Sequence, residues 1–320
     1  MKILVTGSAG FIGFHLCKLL SKKNTVVGVD IINNYYSTKL KRDRLKELKK
    51  SKKFIFFKVD ISNKKKLEKV FKKIKIDVVI NLAAQAGVRY SIDNPDDYTK
   101  SNLIGFSNIL EMCRRYKVKH LLAASTSSVY GNKKDLFLSE DLDTDTPIQY
   151  YAATKKSNEV MAHSYSAMFN LKVSMLRFFT VYGPWGRPDM ALFKFTKNIL
   201  ENKPIEVFNY GNHIRGFTYV DAISFAIEKL IKDKNKKKYE IYNIGGSESI
   251  KLMDFIKIIE KKINKKAKVK FLKLQPGDII STKASLKKIN KYLFGYKEIN
   301  IQKGVSNFVD WYKSYYKVKK

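Results

Sequence analysis

The sequence predicts a doubly wound α/β fold, a parallel sheet wrapped by helices, with a smaller mixed α/β domain attached. Three observations carry this. Short apolar runs alternate with segments of helical spacing through the first half of the chain. A glycine string, Gly7-Ser-Ala-Gly10-Phe11-Ile12-Gly13, joins the first apolar run to the first helical one. Near Gly183 the rhythm breaks into a stretch rich in Gly, Pro and aromatic residues.

Taken in order, Lys2–Thr6 predicts a buried strand and Phe11–Leu20 a helix. Further strands are expected at Thr25–Asp30, Phe54–Val59, Val78–Leu82, His120–Ser125 and Val173–Phe179. Helical patterns at Lys64–Lys73, Tyr98–Arg115 and Ala152–Phe169 separate most of them. Alternation of this kind implies parallel pairing through right-handed crossovers. Beyond Gly183, helices are expected at Leu192–Glu201, Val220–Lys232, Leu252–Lys262 and Ala284–Leu293, with a strand at Glu240–Ile244. The expected division is 1–182 plus 217–246 for the sheet domain, and 183–216 plus 247–320 for the smaller one.

The composition excludes several classes. With 44% hydrophobic and 13% aromatic residues, the chain of 320 residues is not disordered. No apolar run approaches the ~18–20 residues of a membrane helix, so no membrane insertion is expected. The first residues lack the pattern of a secretory leader, and the cytoplasm is the expected compartment. Cys17 and Cys113 stand far apart, and His15, His120, His163 and His213 show no ligand spacing. No metal is expected. The net charge of +34 suits a polyanion, but only eight of the 63 basic residues are arginine, the better fork for phosphate. The lysines lie in short runs along expected helix faces, a solvated surface rather than a nucleic-acid site.

The glycine string places a turn between a strand and a helix N-terminus. Glycines let a pyrophosphate approach the backbone, and the helix start offers N–H groups. Asp30 ends the next strand, where an acid accepts both ribose hydroxyls of NAD and repels the extra phosphate of NADP. Lys39, Lys41 and Arg42 follow soon after and would suit that phosphate. Asp60-Ile61 follows the third strand, a candidate for the adenine edge. Ala83-Ala84-Gln85 follows the fourth, where small side chains leave room for a dinucleotide. Singly these also fit a capping Asp or a packing Ala; their shared place at strand ends points to a Rossmann cleft.

Tyr151 and Lys155 stand at i, i+4 on one expected helix. A free phenol has a pKa near 10. An ammonium and a nicotinamide charge would favour its anion, and bringing it to neutrality takes ~4 kcal/mol. Lys155 can also hold a ribose. Thr126, Ser127 and Ser128 end the fifth strand, and Thr126 can bond the reacting oxygen beside Tyr151. Alone, a YxxxK pair also fits a helix surface, and a hydroxyl cluster also fits a turn.

Together these residues resemble the extended short-chain dehydrogenase/reductase family, over essentially the whole chain. The strings GVDIINNYYSTKLKRDRL, LAAQAGVRYSIDNPDDY, STSSVYG, YAATKKSNEVMAHSY and LRFFTVYGPWGRPDMALFKF are similar to its UDP-glucuronate 4-epimerase branch. The resemblance implies NAD as cofactor, a UDP-sugar substrate, Tyr151 as base, Lys155 as its support and Thr126 as hydroxyl partner. It implies 4-epimerisation of UDP-glucuronate through a 4-keto sugar, serving surface polysaccharide. Epimerases of UDP-glucose or UDP-N-acetylhexosamine, and the decarboxylase, are the alternatives. Ser127, Ser128 and Thr180 replace residues expected of the dehydratase, decarboxylase and galactose-type branches, and their hydroxyls suit a substrate carboxylate. Gln85, Gly87, Arg89 and Tyr90 are expected to line the sugar pocket. Arg187 would orient the sugar or diphosphate, Arg215 the diphosphate, and Asp278 the uridine ribose. Gly216 and Ala222 stand where the branch has acids, Ile31 where it has Asn and Asn81 where it has His. In this family the helices at Tyr98–Arg115 and Ala152–Phe169 pair with a second copy, which implies a homodimer.

Overall fold

The computed structural model describes residues 1–133, 137–234, 237–275 and 281–318. Its strands are β1 (Lys2–Thr6), β2 (Thr25–Asp30), β3 (Phe54–Lys58), β4 (Val78–Asn81), β5 (His120–Thr126), β6 (Val173–Phe178), β7 (Thr180–Tyr182), β8 (Ile205–Phe208), β9 (Ile214–Tyr219), β10 (Tyr239–Ile244), β11 (Ser249–Lys251), β12 (Val269–Leu272) and β13 (Ser281–Thr282). Seven of them form one parallel sheet in the order β10-β6-β5-β4-β1-β2-β3. From β1 the chain first winds outward through β2 and β3, then crosses to β4 and winds the other way. The reversal opens a crevice at the C-terminal ends of β1 and β4, the usual ligand position in such sheets.

Helices cover both faces: α1 (Phe11–Leu20), α2 (Thr38–Leu48), α3 (Lys64–Lys73), the short α4 (Tyr90–Asp93) and α5 (Pro95–Tyr98), α6 (Gly105–Arg115) and α7 (Tyr150–Phe169). Side chains alternate along β1. Ile3 and Val5 join one core with Phe14 and Leu16 of α1, while Leu4 joins another with Phe71 of α3 and Ile109 of α6. Burial on both faces explains why these strands read as continuous apolar runs.

The remaining strands build smaller sheets. β9 pairs β7, β11 and β13, and β8 pairs β12. They pack with α8 (Ala191–Leu200), α10 (Leu252–Ile263) and α12 (Ile301–Tyr315) around Phe193, Ile199, Phe255, Ile259 and Phe308. Between these lies α9 (Val220–Ile231), which with β10 returns to the large sheet; α11 (Asn290–Leu293) precedes α12. Trp185 sits between the two parts. Its ring lies 5.2 Å from Phe14 of α1 and 5.5 Å from Trp311 of α12.

Several expectations need correction. Tyr98–Arg115 is not one α-helix, because residues Thr99–Ile104 wind as a π turn. The helix expected from Ala284 to Leu293 is only its last turn, and Ala284 instead bridges Leu138. Helices α2 and α12 were not expected.

Candidate active site

The crevice between β1 and β4 is lined by backbone. Gly7 has φ 70°, and a Cβ there would lie 2.8 Å from the Ala83 nitrogen. A Cβ on Gly13 would lie 2.1 Å from the Gly7 carbonyl oxygen. Turn, strand exit and helix therefore pack at distances only glycine permits. Gly10 precedes α1 with no side-chain cap, and the first turn holds no acid. The N–H groups at Phe11, Ile12 and Gly13 and the positive helix end are left for an anion.

Asp30, at the end of β2, accepts the Ala9 N–H at 3.0 Å and the Ile32 N–H at 2.8 Å. Burial pushes its carboxyl above the ordinary value, against those two donors and the charges of Lys41 and Arg44. Two of the three cations that would suit NADP are engaged elsewhere, while Arg42 is exposed. Lys41 is buried and donates to the Asn33 carbonyl at 2.7 Å, and Lys39 pairs with Asp43 at 2.7 Å. Ala83 and Ala84 leave the crevice open, and the Ala83 N–H donates to Thr6 Oγ1 at 3.1 Å. That same hydroxyl donates to Asn81 at 2.7 Å, which explains a polar side chain inside β4. Asp60 accepts the Ser62 N–H at 2.9 Å and lines an open groove of about 620 Å³ with Ile31, Val59 and Lys100. Ile61 turns its side chain into the core against Gly105 and does not line the groove. The Gly7 cradle, the uncapped helix start and Asp30 fit NAD.

Tyr151 and Lys155 lie on α7 beside the crevice. Burial raises the Tyr151 phenol pKa, while the Arg187 charge and a hydrogen bond with Thr126 pull it down. Lys155 is 2% exposed, and burial lowers its pKa to about 8, opposed by Glu159. Its ammonium donates to Asn158 Oδ1 at 3.1 Å. Arg187 is thus a neighbouring cation that favours the Tyr151 anion, beside the Lys155 that the sequence pointed to.

Thr126 closes β5 and accepts the Ser128 N–H at 3.2 Å, so Ser127 and Ser128 form a turn at the crevice mouth. Thr180 opens β7, two residues beyond the end of β6. Arg187 pairs with Asp189, its Nε donating at 3.0 Å, and the Tyr35 hydroxyl donates to the same carboxylate at 3.2 Å. Tyr35 covers Gly87, where a Cβ would lie 2.3 Å from its oxygen. Rings of Tyr35, Tyr90, Tyr98 and Tyr151 follow one another with centroids 4.9, 6.2 and 5.9 Å apart. Arg89 stacks over Phe208 at 4.4 Å, spanning from the loop after β4 to the end of β8. Arg215 lies in β9, opposite Ile250 of β11. Asp278 lies outside the described residues.

The sequence did not reveal the frame behind Lys155. Asn102, in the π turn, is 1% exposed and holds both the N–H and the carbonyl of Gln85, at 2.9 and 3.1 Å. It donates to Thr154 at 3.0 Å, and its carbonyl accepts the Asn158 amide at 2.7 Å. Asn158, three residues after Lys155, was the only local signal.

Residues 3–245 match the profile of the NAD dependent epimerase/dehydratase family. The chain belongs to that family. It is an epimerase, an isomerase, and NAD is its cofactor. Protein CapI of Staphylococcus aureus is 50% identical over 334 residues, 99% of this chain and all of that protein. A UDP-glucuronate 4-epimerase of Thermodesulfobacterium geofontis is 44% identical over 312 residues, 97% of this chain and 95% of that protein. Among solved structures, the UDP-glucuronic acid 4-epimerase of Bacillus cereus in complex with UDP-glucuronic acid and NAD superposes with a TM-score of 0.94. It is 38% identical, over 99% of this chain and 100% of that one. Among the described residues no helix is long and apolar enough to cross a membrane.

Proposed function

We propose that the chain converts UDP-glucuronate to UDP-galacturonate by inverting C4 through a transient 4-keto sugar. The carrying observation is the hydroxyl turn Thr126-Ser127-Ser128 beside Tyr151, with Thr180 opening the neighbouring strand. Tyr151 takes the C4 hydroxyl proton, and Thr126 bonds the same oxygen. Bound NAD supplies the hydride acceptor and donor. Ser127, Ser128 and Thr180 donate to the substrate carboxylate with no like charge to repel it. Asp189 is neutralised by Arg187. Once the ketone has turned over, Tyr151 returns the proton, and C4 is inverted with no net oxidation. The similar proteins named above support the choice of hexuronate.

The division into 1–182 plus 217–246, and 183–216 plus 247–320, follows from this reading, with the sugar nucleotide held between the two parts. We place the reaction in the cytoplasm and its product in surface-polysaccharide synthesis, on the family resemblance.

The test is incubation with UDP-glucuronate without added reductant, with the nucleotide sugars resolved. The expected product is UDP-galacturonate alone. UDP-xylose or a 4-keto pentose would make the enzyme a decarboxylase. Turnover of UDP-glucose instead would overturn the role given to the hydroxyl turn.

A homodimer belongs to the same proposal. Ile104 at the end of the π turn and Val160 and Met168 of α7 are 51, 59 and 61% exposed, apolar side chains on two adjoining elements that suit a second copy. Sedimentation is expected to give twice the chain mass of 37.0 kDa. A monomer would refute it.

A further inference from the structure

The segment that leads into Arg187 is held by the cofactor side of the molecule. Three successive carbonyls, of Pro184, Trp185 and Gly186, accept hydrogen bonds from two side chains of the large-sheet domain. His15 of α1 donates through Nε2 to Pro184 at 2.8 Å. Arg44 of α2 donates through Nη2 to Trp185 at 2.5 Å and to Gly186 at 3.3 Å. Trp185 has φ 61°, a left-handed conformation that a bulky residue adopts only where its surroundings hold it. His15 is nearly neutral at physiological pH, because burial lowers its pKa to about 4. Its one ring proton therefore sits on Nε2, facing the carbonyl.

Arg44 does a second thing with the same guanidinium. Nη1 donates to the Ala9 carbonyl at 2.9 Å and to the Tyr36 hydroxyl at 2.8 Å. Ala9 lies inside the glycine turn, and its N–H is the one that Asp30 accepts. Arg44 is fully buried, and no carboxylate of the described residues lies within ion-pair distance of it. A buried cation held only by carbonyls and a phenol is costly unless its geometry is needed. Its planar fork reaches two backbone segments at once, which a lysine ammonium on its stem cannot reproduce.

We propose that Arg44, assisted by His15, is a positioning residue that couples the dinucleotide turn to the loop carrying Arg187, so that cofactor and sugar nucleotide bind cooperatively. The inference rests on the reading that the Arg187 loop faces the sugar nucleotide. Neither side chain touches the reacting atoms. A change in the set of the Gly7–Gly10 turn on filling with NAD is passed through one rigid fork to residues 185–186, and so to Arg187. Linkage requires the converse: sugar nucleotide tightens NAD by the same factor.

The experiment measures the NAD dissociation constant of the full chain with and without saturating UDP, by equilibrium dialysis. UDP is the first probe because its binding does not depend on which hexose the pocket prefers. The wild type is expected to bind NAD about tenfold more tightly with UDP, within the ordinary range of coupling. In Arg44→Gln and Arg44→Lys, checked by circular dichroism for fold, that factor falls to within twofold of one. The lysine variant separates the fork from the charge. His15→Ala loses part of the factor. A residue that merely supports the fold would weaken both ligands and leave the factor unchanged; that result, or a wild-type factor of one, overturns the proposal. Coupling to UDP with no binding of UDP-glucuronate would instead refute the substrate reading and leave the clasp standing.

Discussion

Tyr151→Phe is expected to abolish turnover while leaving fold and bound NAD intact. The phenol lies beside the crevice, hydrogen-bonded with Thr126 and within reach of the Arg187 charge. Removing one oxygen removes the proton acceptor and leaves the ring in its place beside Tyr98, 5.9 Å away. General base catalysis contributes on the order of 10²–10⁴-fold, so a loss of that size in kcat is expected, with KM for the sugar nucleotide little changed. Conversion of UDP-glucuronate, followed over hours, reads it. Turnover within threefold of wild type would exclude Tyr151 as the base.

The largest expected loss of stability lies directly behind the site. Arg177 of β6 and Glu159 of α7 are 2 and 3% exposed, and the pair is bidentate, at 2.9 and 2.8 Å. Glu159 also accepts the Ser125 hydroxyl at 2.6 Å, one residue before Thr126. Glu159→Ala leaves a buried guanidinium uncompensated, which costs about 3–5 kcal/mol. For a chain of this size that is a fall in Tm of roughly 10 °C. Replacing both partners by apolar residues, Glu159→Leu with Arg177→Met, should recover much of the loss, since a buried pair often gives little net stability over a hydrophobic one. Thermal unfolding of the three proteins decides it. A single variant as stable as wild type would mean that water or backbone satisfies Arg177.

The cofactor half of the site was legible in the sequence, and the substrate half less so. Gly7, Gly13 and Asp30 occupy places set by backbone within one strand–helix–strand unit, β1 to β2, and local spacing expresses that. Lys155 was legible as a member of the pair but not in its contact. Its ammonium turns along its own helix to Asn158, whose orientation is set by a carbonyl of a distant π turn. No local pattern announces such a turn. Helix α2 was hidden by its charges. TKLKRDRLKEL looks like a solvated segment, yet Lys41 and Arg44 are buried because carbonyls elsewhere receive them. The strands of the smaller sheets are as short as two to four residues, too few for a period to show. Asp189, which neutralises Arg187, stood two residues from it in the quoted string without a role, and its second partner, Tyr35, lies 154 positions earlier.

Trp185 and Trp311 are the only tryptophans of the chain; their rings lie 5.5 Å apart, and Trp185 also meets Phe14 of the large-sheet part at 5.2 Å, at the join between the two parts. The indole N–H of Trp311 is buried with no acceptor among the described residues. Indole emission of the unmodified protein, excited to the red of tyrosine absorption, therefore arises from one spot, and its colour reports the polarity there. Parting of the two halves would admit water to both indoles and redden the emission. The molecule carries its own optical gauge of closure, with no dye and no engineered label.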